Sequence, residues 1–464
     1  MGKELTKDML DKKVNRIEFM IWVGISFVLA LIGTIMVYPF IGLADGYTRW
    51  YSALEIAKNG KIVTDNLMSP IIPYFQALTY KITGSCGPYT FLQAGFFYLA
   101  IGMLFKMFIG HIRYRKIPVW LIASFVTVLI PTVFVFPLML TDSSPIFTVI
   151  VFMGWFLLSK LDTRYKAIIM GVLSFLAISI RINAVIMIGL LILALIIKGI
   201  REKAVKHFIL IGAIILGCLI GVVTMNIFAP GKHNAATLGM TWELVGQAVV
   251  TKDEKLITEL GKYGNIDKAM DIYGEPSLNF ICWDGEPPYP AMDISGRYSK
   301  DITKLYINEY MKHPVSFIFN KLYFVERVLG VNAPLMSSKW GVADVDELTQ
   351  MLGGKDTQIQ KDIRQAFFFA TDGMSFISLR PTVALFITIL LTVIVKFLKG
   401  KTGEFSLLIF LAAFYYSSFC LNTQSFEYRY FAPSFYILLC AMAGLTIEIV
   451  RLLLTKDKSK GQRT

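Results

Sequence analysis

Acidic and basic side chains are scarce in the apolar stretches of this chain, and the few present stand at the ends of those stretches. Asp45 and Arg49 follow the first stretch, Asp142 the third and Arg181 the fifth, while Glu427 and Arg429 precede the last. A carboxylate in such a place can take a proton from an attacking hydroxyl, or hold a metal ion that does part of that work. A guanidinium can grip a phosphate through two parallel N–H bonds. Acid and base together at a membrane surface point to work on a phosphorylated, hydroxyl-rich substrate.

Each residue also has a plainer reading. Asp45 ends a long uncharged stretch and is followed by Gly46 and a segment carrying Arg49, Trp50 and Tyr51. Any helix leaving a bilayer ends in something polar, so by spacing alone simple termination is the stronger reading for Asp45 and catalysis the weaker. Asp142, in PLMLTDSSP, can orient an acceptor or a metal, but capping the next helix over Ser143 and Ser144 is the stronger single reading. Arg181, beside Asn183, can meet a phosphate or serve as structural partner to an outer carboxylate such as Asp142 or Asp45. In NTQSFEYRYFAP, Glu427, Tyr428, Arg429 and Tyr430 stand in a row. Arg429 can bind a lipid phosphate and stabilise it as a leaving group, with the tyrosines in the aromatic belt. The same cluster can simply anchor the helix. Arg429 is the one basic residue of that loop, which tips the reading towards function.

The remaining polar features carry less. Trp283, Asp284 and Glu286 in CWDGEPPYP can contact carbohydrate, although a solvated proline-rich turn is the stronger reading. The four histidines, His111, His207, His233 and His313, are scattered between the two faces and do not suggest a metal site. Of the five cysteines, only Cys86 and Cys282 can both face outward, and an unpaired state is favoured over a disulfide.

The elements that must hold these residues are membrane helices. The chain has 464 residues, 55% hydrophobic, 14% aromatic and only 17% charged, which is outside the range of soluble domains. Five stretches carry no charge: Phe19 to Ala44, Thr83 to Phe105, Pro118 to Thr141, Phe208 to Gly231 and Phe405 to Phe426. Each can cross about 30 Å of hydrocarbon at about 1.5 Å per residue. Shorter candidates are Ser143 to Ser159, Pro381 to Val395 and Tyr430 to Ile447. From Ala167 to Ile197 only Arg181 interrupts the apolar run, and basic clusters flank both ends. The stretch is therefore read as a hairpin turning at Arg181, against the alternative of one long tilted helix.

The expectation is an all-α polytopic membrane protein with about ten transmembrane helices. With both termini cytoplasmic, the inner segments hold 24 basic residues and the short outer loops only six: Arg49, Lys58, Lys61, Lys81, Arg181 and Arg429. That bias fixes the orientation. It also accounts for the net charge of +13, which suits anionic lipid heads rather than nucleic acid. The first apolar stretch is read as a retained anchor, not a cleaved signal.

Three parts follow. Residues 1–228 form an N-terminal membrane module of about seven spans, with outer interfacial helices at 46–80. Residues 229–380 form a mostly helical extracytoplasmic region, in which HPVSFIFNKLYFVERVL is amphipathic and can return the chain to the membrane surface. Residues 381–464 add about three spans and a basic cytoplasmic tail.

On the acid within ADGYTRWYSA, the TDSSP turn, the ISIRINAVIM hairpin and the EYRYFAP entry to the last helix, the chain resembles the GT-C superfamily. These are multi-spanning glycosyltransferases that use polyprenyl-phosphate-linked sugars. The chain looks most like bacterial members related to polysaccharide-modifying glucosyltransferases. The resemblance covers the whole chain at the level of architecture, WELVGQAVV and EYMKHPVSFIFNKLYF of the outer region included. It implies a bacterial plasma-membrane enzyme with an extracytoplasmic active site and an inverting transfer to a cell-surface glycan or glycolipid. Asp45 would activate the acceptor hydroxyl, and Arg429 and Arg181 would hold the donor phosphate. Asp142, Glu427, Arg49 and Tyr428 would contribute to acceptor or metal binding, with a divalent metal as the one cofactor the resemblance admits. Many members carry two adjacent acids in the first loop, whereas Asp45 is followed here by Gly46.

Nucleotide sugars are confined to the cytoplasm, so an outward-facing transferase needs a donor carried through the bilayer on a lipid. A transporter or flippase of a lipid-linked or anionic substrate would instead place charges near the midplane on broken helices, often in two related halves. A polysaccharide polymerase or ligase would share the outer arginines. A non-catalytic scaffold is the weakest competitor.

Overall fold

The computed structural model describes residues 2–38, 44–63, 68–139, 142–228, 233–274, 279–283, 285–330, 357–370, 380–398, 400, 402–422 and 428–461. Within these ranges, the side chains of 2–13, 44–45, 279, 323–324, 367–370, 403–404, 420–422, 428–429 and 456–461 lie outside the description.

Apart from a two-stranded ribbon pairing Arg113 with Pro118 and Tyr114 with Ile117, the described elements are helical. The first half of the chain gives α1 (Gly2–Met36), α2 (Ala44–Asn59), α3 (Ile71–Thr83), α4 (Gly87–Ile109), α5 (Val119–Val128) and α6 (Pro131–Val135). It continues with α7 (Ser143–Leu158), α8 (Thr163–Ile180), α9 (Ala184–Glu202) and α10 (Val205–Phe228). Among the described residues, six helices are long and apolar enough to cross a membrane: Val14–Met36, Gly87–Ile109, Thr163–Ile180, Ala184–Glu202, Val205–Phe228 and Tyr430–Thr455. Counting α5 and the helix after its break as one bent span gives seven, and Ser143–Leu158, Pro381–Phe397 and Phe405–Phe419 are shorter apolar helices.

Two expectations change in detail. The stretch from Pro118 to Thr141 is bent by 77° between Val128 and Pro131. Pro131 lacks an N–H and pushes the preceding residue out of helical geometry, and Ile130 is extended at ψ 124°. Asp45 does not end α1, which stops at Met36. It lies in the first turn of α2, where a helix N-terminus favours an acid.

The membrane helices pack closely where side chains are small. Trp22 of α1 lies against Gly102 of α4 and donates from Nε1 to the Tyr98 carbonyl at 3.2 Å, while Phe27 covers Gly95. Those pairings run antiparallel. Helices α8 and α10 run parallel, as two spans flanking a hairpin arm must, with Gly217 against the Gly171 carbonyl and Gly221 against Ile178.

One end of the bundle collects Glu18 with Arg113 (2.6 Å), Lys106 on the Asn15 carbonyl (2.9 Å), and Glu448 with Arg451 (2.6 Å) and His111 (3.4 Å). The other end collects Arg49, Asp142 and Arg181.

After α10 the chain builds a layer of shorter helices: α11 (Ala236–Thr251), α12 (Glu254–Gly261), α13 (Ile266–Asp271), α14 (Asn279–Cys282), α15 (Ala291–Ser295), α16 (Ser299–Lys312) and α17 (Pro314–Val328). Its centre is α11, whose Glu243 accepts from Tyr306 Oη (2.7 Å) and pairs with Lys321, while Ser316 donates to Gln247 (2.8 Å). The CWDGEPPYP turn is partly core, because Tyr289 is fully buried and donates to the Leu260 carbonyl, whereas Trp283 is exposed. Cys86 and Cys282 are both buried, and no disulfide joins them.

The layer meets the bundle through α18 (Gln358–Ala370), α19 (Pro381–Phe397), α20 (Gly403–Asn422) and α21 (Tyr428–Gly461). Tyr416 of α20 donates to the Val328 carbonyl at 2.8 Å, and Arg380, just before α19, donates to the Gly330 carbonyl at 3.1 Å. From α18, Gln360 donates to the Ile35 carbonyl at the end of α1.

The close approach of α8 and α10 predicts a contrast within one helix. A Cβ at Gly217 would sit 2.1 Å from the Gly171 carbonyl oxygen, whereas one at Gly212 would meet nothing within 4 Å. Gly217→Ala is expected to lose about 1–3 kcal/mol by overpacking. Gly212→Ala should gain up to about 1 kcal/mol from helix propensity. Thermal unfolding of the two variants in detergent checks this, and equal midpoints would contradict the packing.

Candidate functional site

Three separate pieces of backbone converge on Asp142. Helix α2 brings Arg49 on its buried face, with Trp50, Ala53 and Ile56. The broken helix α5–α6 runs through a 3-10 turn at Phe136–Leu138 and delivers Asp142 to the start of α7. The tight turn between α8 and α9 presents Arg181, which is extended at φ −145° and ψ 113°. Gln93 of α4 fixes the approach to Asp142, donating from Nε2 to the carbonyls of Pro137 (2.7 Å) and Met139 (3.1 Å). Ser69, before α3, donates to the Ser179 carbonyl and ties the start of α3 to the end of α8.

Arg181 grips Asp142 with both prongs, Nε to Oδ2 at 2.7 Å and Nη2 to Oδ1 at 2.8 Å. Arg49 reaches the same Oδ2 from Nη2 at 3.3 Å. All three residues are buried, at 8%, 8% and 6% exposure for Asp142, Arg181 and Arg49. Burial works against the charge on Arg181, but the Asp142 carboxylate outweighs it and raises the guanidinium pKa. The guanidinium lies 4.5 Å from the centre of the Tyr430 ring and 5.8 Å from that of Phe419, in cation–π range. Tyr89 and Tyr415 are buried beside the charges. Trp50, fully buried, meets Tyr80 and Tyr89 edge-on at 6.5 and 6.3 Å.

Among the described residues, one buried carboxylate thus faces two buried guanidiniums, an excess of one positive charge. Arg49 carries the excess, because among the described residues its buried Nε and Nη1 have no hydrogen-bond acceptor. A buried cation with orphaned donors is costly, and an anion supplied from outside would satisfy it. The described residues thus leave the Arg49 side of the cluster as an open half-site.

The sequence-derived candidates fall into three groups. Arg49, Asp142 and Arg181 are brought into contact, and the structural partner allowed for Arg181 is Asp142. Asp142 occupies the N-cap position of α7 but makes no side-chain cap bond, so the capping expected of it is replaced by the ion pairs. Asp45 and Arg49 are four residues apart on α2, hence on one face of that helix. The Asp45 side chain lies outside the described residues. So do Glu427 and the side chains of Tyr428 and Arg429, whose backbone begins α21 immediately before Tyr430.

Sequence reasoning undervalued Arg49 and did not mention Tyr89 or Tyr415. The signal for Arg49 was present: it shares a helical stripe with Ala53 and Ile56, the apolar face of α2.

Removing the shared carboxylate should hurt far more than removing the surplus cation. Asp142→Asn leaves two buried guanidiniums without a counter-charge and is expected to cost about 3–5 kcal/mol. Arg49→Met, which leaves the Arg181 pair whole, should cost less than about 1 kcal/mol by comparison with replacing a poorly satisfied buried ion. Denaturation of both variants in detergent gives the ranking, and the reverse order would show that Arg49 has structural partners of its own.

No protein family, curated protein or solved structure matches this chain.

Proposed function

We propose that this chain is a bacterial plasma-membrane glycosyltransferase of the GT-C kind, crossing the bilayer about ten times with both termini cytoplasmic. In this reading it moves a hexose from a polyprenyl-phosphate donor to a cell-surface glycan or glycolipid at the outer face. The observation that supports it best is the Arg49 guanidinium, buried beside the Asp142–Arg181 pair and one helical turn from Asp45, with two nitrogens that have no acceptor among the described residues.

The chemistry follows from that placement. The donor phosphate enters the half-site and accepts from Arg49 Nε and Nη1. Arg429 adds a second cation from the entry to α21. Asp45 takes the proton of the acceptor hydroxyl as its oxygen bonds to the anomeric carbon. The bond from that carbon to the phosphate oxygen breaks, polyprenyl phosphate leaves as an anion, and attack from the opposite face inverts the configuration. Arginine donors stabilise the charge that develops on the leaving group.

Arg181 is committed to Asp142 and holds the site's shape, a change from the donor-binding role the resemblance implied for it. Glu427 and Tyr428 are assigned to the acceptor side. The counter-charge that a divalent metal would supply beside Asp45 is assigned here to Arg49.

A transporter or flippase of a lipid-linked or anionic substrate is the second reading, favoured by the 77° break between α5 and α6. Against it, the backbone around the break is held by fixed donors. Tyr98 Oη donates to the Phe134 carbonyl at 2.6 Å, and Tyr436 Oη to that of Thr132 at 3.2 Å.

The test is sugar transfer in proteoliposomes from radiolabelled polyprenyl-phosphate hexoses to a crude envelope acceptor. Asp45→Asn is expected to lower transfer about 10²- to 10⁴-fold, the usual effect of losing a general base. Arg49→Ala should lower it about 10- to 100-fold, as for a charged hydrogen bond worth roughly 1.5–3 kcal/mol. A fully active Asp45→Asn would overturn the assignment of the base. Protein-dependent movement of labelled lipid across the bilayer, with no transfer to any acceptor, would put the transporter in its place.

A further inference from the structure

The helical layer after α10 contains a second constellation, far in sequence from the charges on Asp142. Asp253, Glu309 and His313 each offer one ligand atom, and these atoms lie within 4.8 Å of one another. The local structure explains the convergence. Glu309 and His313 are four residues apart at the C-terminal end of α16, on one face of the helix. Asp253 is the N-cap of α12, where its Oδ1 accepts from the backbone N–H groups of Lys255 (2.8 Å) and Leu256 (3.4 Å). The second oxygen of that carboxylate is not used by the cap.

Glu309 supplies the observation that points to a ligand. Its residue exposure is only 4%, and its Oε2 is buried with no hydrogen-bond partner. Lys312 covers the other oxygen, with Nζ 2.6 Å from Oε1, and the Nε2 of His313 stands 3.9 Å from Oε2, beyond hydrogen-bond reach. A dry carboxylate oxygen facing an imidazole nitrogen and a second carboxylate lacks a shared cation between them.

We infer that Asp253, Glu309 and His313 form a binding site for a first-row divalent cation, zinc by its donor set. Two carboxylate oxygens and one imidazole nitrogen, without thiolates, suit zinc with water in the fourth position. Tetrahedral ligation at about 2.0–2.1 Å places ligand atoms about 3.4 Å apart. The gaps observed therefore close with small side-chain movements. The Lys312 ammonium is on an exposed side chain and can swing away from Glu309 as the metal enters. The ion would clamp the start of α12 to the junction of α16 and α17. This inference is independent of the transferase reading.

The experiment is calorimetric titration of zinc chloride into the tag-free, chelator-treated full chain in detergent, with thermal unfolding as a second readout. One equivalent should bind and raise the midpoint of unfolding. Asp253→Asn keeps the α12 cap, because asparagine caps as well as aspartate, so a folding defect does not confuse its result. Asp253→Asn and His313→Gln should each weaken binding at least tenfold, and Lys312→Ala should tighten it by removing the competing ammonium. Binding that neither ligand variant alters would overturn the site. So would the absence of binding at millimolar zinc in both wild type and Lys312→Ala.

Discussion

One end of the bundle depends on one carboxylate shared by two guanidiniums. Asp142 is the only acid among the described residues of the cluster, and the cations on it come from α2 and from the α8–α9 turn. An ion pair taken out of water gains little unless geometry and additional hydrogen bonds repay the lost solvation. Here the Arg181 fork is bidentate and stacked near Tyr430, which meets that demand. Arg49 does not meet it. The cluster is therefore closed at Arg181, while two nitrogens of Arg49 have no acceptor among the described residues.

Holding Asp142 at that point requires the break before α7. A continuous helix from Val119 would carry the chain past the level where Arg49 and Arg181 meet. Pro131 interrupts it, and the irregular backbone is tolerated because Gln93, Tyr98 and Tyr436 occupy its carbonyls from packed helices. Such backbone is admitted at membrane depth only where protein buries it. The close contact of Trp22 with Gly102, and its bond to the Tyr98 carbonyl, in turn fix the helix that carries Gln93 and Tyr98.

Much of the architecture was legible because it rests on local pattern. Uncharged stretches mark the apolar helices, and Arg181 between basic flanks marks the hairpin. The parallel run of α8 and α10 is what that hairpin requires. The bend at Pro131 was legible in kind, since proline after a β-branched residue breaks a helix, but its angle is set by packing. The pairing at Asp142 was only half legible. A guanidinium and a carboxylate at one bilayer level invite a pair, yet a capping aspartate has the same sequence signature, and competition between the two is decided by distance. His313 illustrates the limit: scattered histidines give no spacing signal, because the carboxylate at Asp253 reaches it only through the folding of α11, α12 and α16.

A buried excess of positive charge also constrains what the site can hold. A neutral sugar could not relieve Arg49, because hydroxyls offer weaker acceptors than the two orphaned donors of a guanidinium require. A monoanionic or dianionic oxygen cluster could, and its binding would be linked to stability, since any ligand that binds only the folded form adds to the folding free energy. In the proposed reading, the open half of the cluster would select by charge first and by shape second. Shape is then set by Trp50, Tyr89 and Tyr430, the rigid aromatic walls packed about the same charges. In the proposed reading, such walls with one unsatisfied cation would suit a phosphate that carries an apolar chain on one side and a polar ring on the other, and would disfavour a small, fully hydrated anion, which would give up its water for an apolar lining.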